Sequence, residues 1–388
     1  MGYGFRMQSR RGARGGVRAM GHLVFTAAAA AALLIGTMRE AAAKEAKSAR
    51  DELRIYFVDV EGGQATLFVT PRGRSLLIDT GWNDHNGRDA DRIAAAAKQA
   101  GVSRLDYVLI THYHGDHVGG APQLAAKMPI GTFFDHGPDR EVAPEAGWQY
   151  TKAGYDAYQK LLATGKYRHV VLHAGEKLPV KGLDATVISA DGAVIDQSLP
   201  GGGESNASCG DADRTPAGLE DPDMTENGRA LGIFLRFGRV RILDPGDLTW
   251  DRERMLMCPV NKLGHVNIFI VGNHGMAPST SPALVNGIAP QVAIMDNGAR
   301  KGGTVRVLDL IRNAPSNPVL WQLHYAEQAG AAHNTDPAQI ANLTGPTGRG
   351  PSEVEDKGYM LVVTVQRDGG FTILNQRTGE TRIYTANP

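Results

Sequence analysis

Thr111-His112-Tyr113-His114-Gly115-Asp116-His117-Val118-Gly119-Gly120 follows directly on the apolar run Tyr107-Val108-Leu109-Ile110. That run is brief, apolar and bounded by a polar turn, which reads as a buried strand. Four potential metal ligands, His112, His114, Asp116 and His117, therefore fall on the loop leaving a strand's carboxyl end, where open α/β sheets place their sites. Neutral imidazole together with carboxylate suits zinc, or iron or manganese. Alternating side-chain direction can send His112 and His114 one way and turn Asp116 and His117 back toward a second ion. A chance surface cluster is the competing reading, and this ligand density at a strand end argues against it.

The pattern H-x-H-x-D-H with its trailing glycine pair resembles that of the metallo-β-lactamase superfamily. The resemblance implies an α/β fold, a four-layer αβ/βα sandwich with mixed sheets, and a one- or two-metal hydrolytic site at one edge. Asp59-Val60-Glu61-Gly62-Gly63-Gln64-Ala65 and Leu76-Leu77-Ile78-Asp79-Thr80-Gly81 sharpen it. They are similar to the β-lactamase-like domain of competence DNA-uptake proteins, whose opening strands carry a comparable glycine-glutamine turn. That likeness implies that Asp79 braces the metal loop through hydrogen bonds. An ordinary turn aspartate is the alternative.

The 388 residues carry a formal charge of zero, which hides a split. Residues 1–43 hold six arginines and one acid, so the remainder is acidic by five charges. No basic run interleaved with aromatics occurs in that remainder, which disfavours, without excluding, a nucleic-acid partner. Arg6, Arg10, Arg11, Arg14 and Arg18 precede an apolar stretch from Leu23 to Met38, and Ala41-Ala42-Ala43 offers a cleavage site. This reads as a signal peptide over 1–43, with an uncleaved anchor as the alternative. The sixteen apolar residues are short for a membrane span. The mature chain is then expected to be periplasmic or secreted, with no further span. Cys209 and Cys258, the two cysteines, read as one disulfide in an oxidising compartment. Two separate buried thiols are the other reading.

Residues 44–52 form a charged linker, and 53–388 read as one hydrolase domain. Strands are expected at Leu53 to Val60, Ala65 to Thr70 and Ser75 to Ile78, with helices from Arg88, Pro122 and Gly147. Tyr150, Tyr155 and Tyr158 on the last of these form an aromatic stripe that reads as core. Val170 to Leu172, Leu178 to Val180 and Ala185 to Ile188 read as further strands. Residues 191–228 show no period and are rich in Gly, Pro, Asp and Ser. A loop of that length is a lid over the metal edge or a surface insertion. A second set of strands and helices follows from Leu231, and an antiparallel meander closes the chain.

Asp79, the His112–His117 cluster, Asp247, His274 and His324 all follow predicted strands. Asp247 matches the family's bridging carboxylate, which can hold two ions about 3.5–4 Å apart. Asp244, first in a Pro-Gly turn, reads as a turn residue. His274 is a ligand or transition-state donor, or else a hydrogen-bonded structural histidine. His324 and His333 are reserves. The family's third histidine has no clear match: Asn227 stands nearest, and His136 and His173 read as surface or core residues. Relatives have Gly-His-Pro where this chain has Gly302-Gly303-Thr304.

The resemblance implies hydrolysis of an ester, amide or phosphodiester, on a small or oligomeric substrate, by a water activated at one or two zinc ions, with manganese or iron as alternatives. Asp116 would orient that water and shuttle its proton, and His274 would steady the developing charge. β-Lactamase activity itself is disfavoured, since the family's cysteine ligand and third histidine are not found where expected. A degenerate metal-binding module of the cell envelope is the competing reading from another class. Redox di-iron chemistry would normally bring a flavin domain that this sequence lacks.

Overall fold

A computed structural model describes residues 1, 51–83, 85–141, 146–210, 214–219, 221–343 and 357–387. The leader expected over 1–43 lies outside these apart from Met1, as does the linker up to residue 50, and the side chain of Tyr150.

Short apolar runs punctuated by glycine turns form strands, with helices between them. The first half comprises β1 (Glu52–Phe57), β2 (Thr66–Val69), β3 (Ser75–Ile78), α1 (Arg88–Gln99) and β4 (Leu105–Leu109). It continues with α2 (Gly115–Val118), α3 (Ala121–Lys127), β5 (Ile130–Asp135), α4 (Ala146–Leu162) and β6 (Arg168–Val171). The second half comprises β7 (Asp184–Ala190), β8 (Ala193–Val194), β9 (Glu204–Ser205), β10 (Gly232–Phe237) and β11 (Val240–Asp244). Next come α5 (Trp250–Met257), β12 (Val260–Asn261), β13 (Ile268–Ile270), α6 (Pro282–Ile288) and β14 (Val292–Met295). The chain then runs through α7 (Val305–Arg312), β15 (Val319–His324) and β16 (Ile340–Asn342). It closes on β17 (Leu361–Gln366), β18 (Gly370–Asn375) and β19 (Glu380–Thr385).

Two large mixed sheets result. One has the order β19-β18-β17-β1-β2-β3-β4-β5-β6 and the other β16-β15-β14-β13-β11-β10-β7-β8. The closing meander thus joins the first sheet, with β17 antiparallel to β1. Strand alternation builds three cores. Leu53, Ile55 and Phe57 of β1 meet Ile233, Leu235, Ile242 and Ile268 of the other sheet in the middle core. Tyr56 of β1, with Leu67 and Val108, packs against Ile93, Ala97 and Leu124 of α1 and α3. Leu243, Phe269 and Met295 face Leu256, Leu284, Val307 and Ile311 of α5, α6 and α7. Helix, sheet, sheet, helix is the four-layer order expected. Strands covered on both faces read as continuous apolar runs for this reason.

One expected strand is absent. Leu178 and Val180 are buried, but this segment makes a single bridge, Lys177 with Thr186. Backbone N–H groups of Val180 and Leu183 instead bond to the carbonyls of Leu178 and Val180. The alternation is satisfied by burial in the middle core, while the backbone pairing to β7 ends at Leu178 N, which donates to the Ala185 carbonyl, and does not continue through Val180. Among the described residues, no helix is long and apolar enough to cross a membrane.

Candidate metal centre

Parallel pairing of β3 with β4, and in succession of β11 with β13, β13 with β14 and β14 with β15, aligns the carboxyl ends of these strands. Asp79, Thr111 to His117, Asp247, His274, Asp296 and His324 come from the turns or last residues there. The trailing glycine pair of the opening motif has a steric cause. A Cβ on Gly120 would lie 2.1 Å from the Thr80 carbonyl oxygen, so only glycine lets α3 begin against that turn.

Asp116, His117, Asp247 and His274 converge, all buried. His117 Nε2 lies 3.1 Å from His274 Nε2, 3.2 Å from Asp116 Oδ2 and 3.3 Å from Asp247 Oδ1. His274 Nε2 lies 3.1 Å from Asp116 Oδ2 and 3.6 Å from Asp247 Oδ1. Ligands about 2.0–2.1 Å from a tetrahedral ion are about 3.3 Å apart, so these four atoms have the spacing of a coordination shell. His112, His114 and Asp247 form a second group, with His112 Nε2 3.9 Å from Asp247 Oδ2. His112 Nε2 and Asp247 Oδ1 are buried atoms with no hydrogen-bond partner. Such atoms cost stability unless something meets them, and a cation shared through Asp247 would meet both. The residues therefore fit one or two metal ions.

Their supports are equally specific. His117 Nδ1 lies 2.7 Å from Asp79 Oδ2, while Thr111 N and Oγ1 donate to Asp79. His274 Nδ1 lies 3.2 Å from Asp296 Oδ1. A carboxylate behind each ring fixes its tautomer and turns Nε2 inward. His274 itself has φ 52, a left-handed conformation rare for a non-glycine residue. Burial disfavours charge on His117, yet Asp247, Asp116 and Asp79 more than reverse this and push its pKa well above the ordinary value. Burial pushes His112 well down, with His117 and His114 adding to the effect, so that ring is neutral and metal-competent. Burial opposes the charge on Asp247 as well, but His117 and His274 hold its carboxyl well below the usual range. The carboxylates create a field that draws in positive charge.

The remaining sequence candidates lie apart from these two groups. Asp244 accepts hydrogen bonds from Gln64 Nε2 and Gly246 N. His324 Nε2 is 2.7 Å from Asp59 Oδ1, in a separate group with Glu61. His333 pairs with Asp309, and His136 Nε2 lies 3.0 Å from Glu226 Oε2. His173 is exposed, and its backbone N–H bonds to Glu176. Glu141, from a segment the sequence does not mark, places Oε2 3.1 Å from His114 Nε2. Asn227, His114 and Glu141 line a cavity of about 350 Å³ with Thr215 and Leu219 of the long loop. That loop is tied by the expected disulfide, Cys209 to Cys258. Glu141, Asp296 and Lys301, which pairs with Asp116, were missed. Asp296 could have been found, since it directly follows β14 as the other site residues follow their strands.

Comparison with known proteins bears out the resemblance. Residues 58–198 match the family model described as Metallo-beta-lactamase superfamily. The chain is 22% identical over 245 residues to Competence protein ComA of Neisseria gonorrhoeae, covering 60% of this chain and 27% of that one. It is 35% identical over 96 residues to Lactamase-like protein vrtG of Penicillium aethiopicum, covering 24% and 30%. The matched part thus spans about a quarter to a third of these relatives. The metallo-beta-lactamase fold protein YhfI from Bacillus subtilis superposes with a TM-score of 0.41 at 12% identity, over 70% of this chain and 96% of that one.

Proposed function

We propose that this metallo-β-lactamase-fold chain is an exported metal-dependent hydrolase of ester-type bonds. The convergence of buried imidazole nitrogens and carboxylate oxygens at coordination-shell spacing supports it above all. His112, His114 and Asp247 would hold one ion, and Asp116, His117, His274 and Asp247 the other, with zinc the first choice and manganese or iron alternatives. When bound, such ions polarise a substrate oxygen and acidify water. Asp116 orients the attacking water and takes its proton. His274, fixed by Asp296, faces the charge that develops on the substrate. The water oxygen bonds to the carbonyl carbon or phosphorus, the bond to the alkoxide breaks, and the proton ends on the leaving oxygen. The arginine-bearing leader and the disulfide support export.

Metal analysis of the mature protein, alongside bis(p-nitrophenyl) phosphate, lactone and simple ester substrates, tests this reading. One or two equivalents of metal and chelator-sensitive turnover are expected. Asp116→Asn should fold and lose at least about a hundredfold in turnover, the scale of acid–base residues. Metal-free protein without turnover overturns the reading.

A further inference from the structure

Lys301 stands at the rim of the centre, on the turn between β14 and α7. Its ammonium pairs with Asp116 Oδ2, the oxygen that also faces His117 and His274. It lies 4.9 Å from the centre of the Trp82 ring, a cation–π distance. Its side chain nonetheless stays 32% exposed.

Backbone packing fixes this placement. Gly298 N donates to the Lys301 carbonyl, and Gly303 N to that of His274, both at 2.9 Å. Gly302 has φ +77, and a Cβ there would lie 2.1 Å from the His274 carbonyl oxygen. A Cβ on Gly62 would lie 2.9 Å from Lys301 Cβ. The turn bearing Lys301 is thus locked between the His274 turn and the turn after β1. Lys301 directly precedes Gly302-Gly303-Thr304 and places a cation beside the candidate metal ligands.

An ion held by Asp116, His117, Asp247 and His274 would draw the charge of Asp116 to itself. The ammonium would then face an anion entering from its open side. Because it sits on a ligand atom and not several ångströms away, that anion belongs to the reacting group. We propose that Lys301, backed by Trp82, binds an anionic oxygen on the reacting centre of the substrate, which makes a phosphodiester the preferred class over a neutral ester or lactone. This rests on the metallohydrolase reading above.

Metal-loaded wild type, Lys301→Gln and Lys301→Arg are compared on three substrates. These are bis(p-nitrophenyl) phosphate, neutral p-nitrophenyl acetate, and p-nitrophenyl hydrogen glutarate, whose carboxylate lies away from the scissile bond. Binding of inorganic phosphate is measured by calorimetry, and metal content is checked in each variant. Lys301→Gln should lower kcat/KM for the diester about ten- to a hundredfold relative to the acetate, the range for losing a hydrogen bond to a charged group. It should weaken phosphate binding in step, with unchanged metal content and partial recovery in Lys301→Arg. A parallel loss on all three substrates, a selective loss on the glutarate, or unchanged phosphate affinity overturns the assignment. If Lys301→Gln does not load metal, Trp82→Leu should give the same selective change in smaller measure, and no change there overturns it. Wild type without metal or turnover sinks the hydrolase reading instead, and phosphate binding that depends on Lys301 in that protein would still support the anion site.

Discussion

Asp244 and Asp247 sit three residues apart on one turn, in opposite electrostatic surroundings. Histidines around Asp247 hold it ionised. Asp244 is buried, and burial, with Asp79 and Asp296 adding to it, pushes its carboxyl up to about 7 despite hydrogen bonds from Gly246 and Gln64. A carboxyl with a raised folded pKa destabilises the fold as pH rises, because the folded state keeps a proton that the unfolded chain has released. The penalty is absent below the unfolded value of 3.8, grows through the interval, and is complete above about 7. At 1.36 kcal/mol per unit, its ceiling is about 4 kcal/mol. Asp244→Asn keeps an oxygen for Gly246 N, and Gln64 can flip its amide. The variant should therefore match wild type near pH 4 and exceed it in stability at pH 8, by urea unfolding with chelator present. An unchanged difference between the two pH values would show that Asp244 ionises as freely in the fold as outside it. The sequence separates the pair by family likeness and turn chemistry; both are buried, and what distinguishes them in the fold is their neighbours, histidines around Asp247 and, at Asp244, Gln64 from 180 residues away in sequence.

At the scale of elements, the long loop after β8 walls the cavity that His114 lines. It is clamped by the pairing of β9 with β12, by Asn206 Nδ2 donating to the carbonyls of Met257 and Ala283, and by the disulfide. The two cysteines are 49 residues apart in sequence, so the link restricts the unfolded chain by about 4 kcal/mol on the entropic account. Replacing both, Cys209→Ser with Cys258→Ser, should cost about 2–4 kcal/mol in denaturant unfolding and raise KM by loosening the cavity wall. Unchanged unfolding and KM would mean that hydrogen bonds alone hold the loop. Strand ends, helices and the motif loop were legible because apolar period and ligand density are local signals. Glu141 and Lys301 were not, since each reaches the centre from a segment with no ligand pattern of its own. Leu178 and Val180 misled for a related reason: alternation reports which side chains are buried, not whether the backbone finds a ladder partner.

Across the whole molecule, the centre is divided between the two sheets. His112, His114, Asp116 and His117 follow β4 of the first, whereas Asp247 and His274 follow β11 and β13 of the second. Direct contacts also cross this seam, as in Gln64 with Asp244 and His324 with Asp59. An ion joining Asp247 to His112 and His117 would add a further tie between the halves, present in the folded chain and lost on unfolding. Binding only to the folded state stabilises it by RT ln(1 + [L]/Kd), about 4 kcal/mol at a thousandfold excess over Kd. For a domain of this size that corresponds to roughly 5–15 °C in Tm. Zinc-loaded protein should therefore melt higher than chelator-treated protein by such an interval, with recovery on adding zinc back. Asp247→Asn, which weakens the carboxylate common to both groups, should lose most of that difference while retaining its secondary structure by circular dichroism. Equal melting of loaded and stripped wild type, with metal content verified in each, would mean that no ion spans the two sheets.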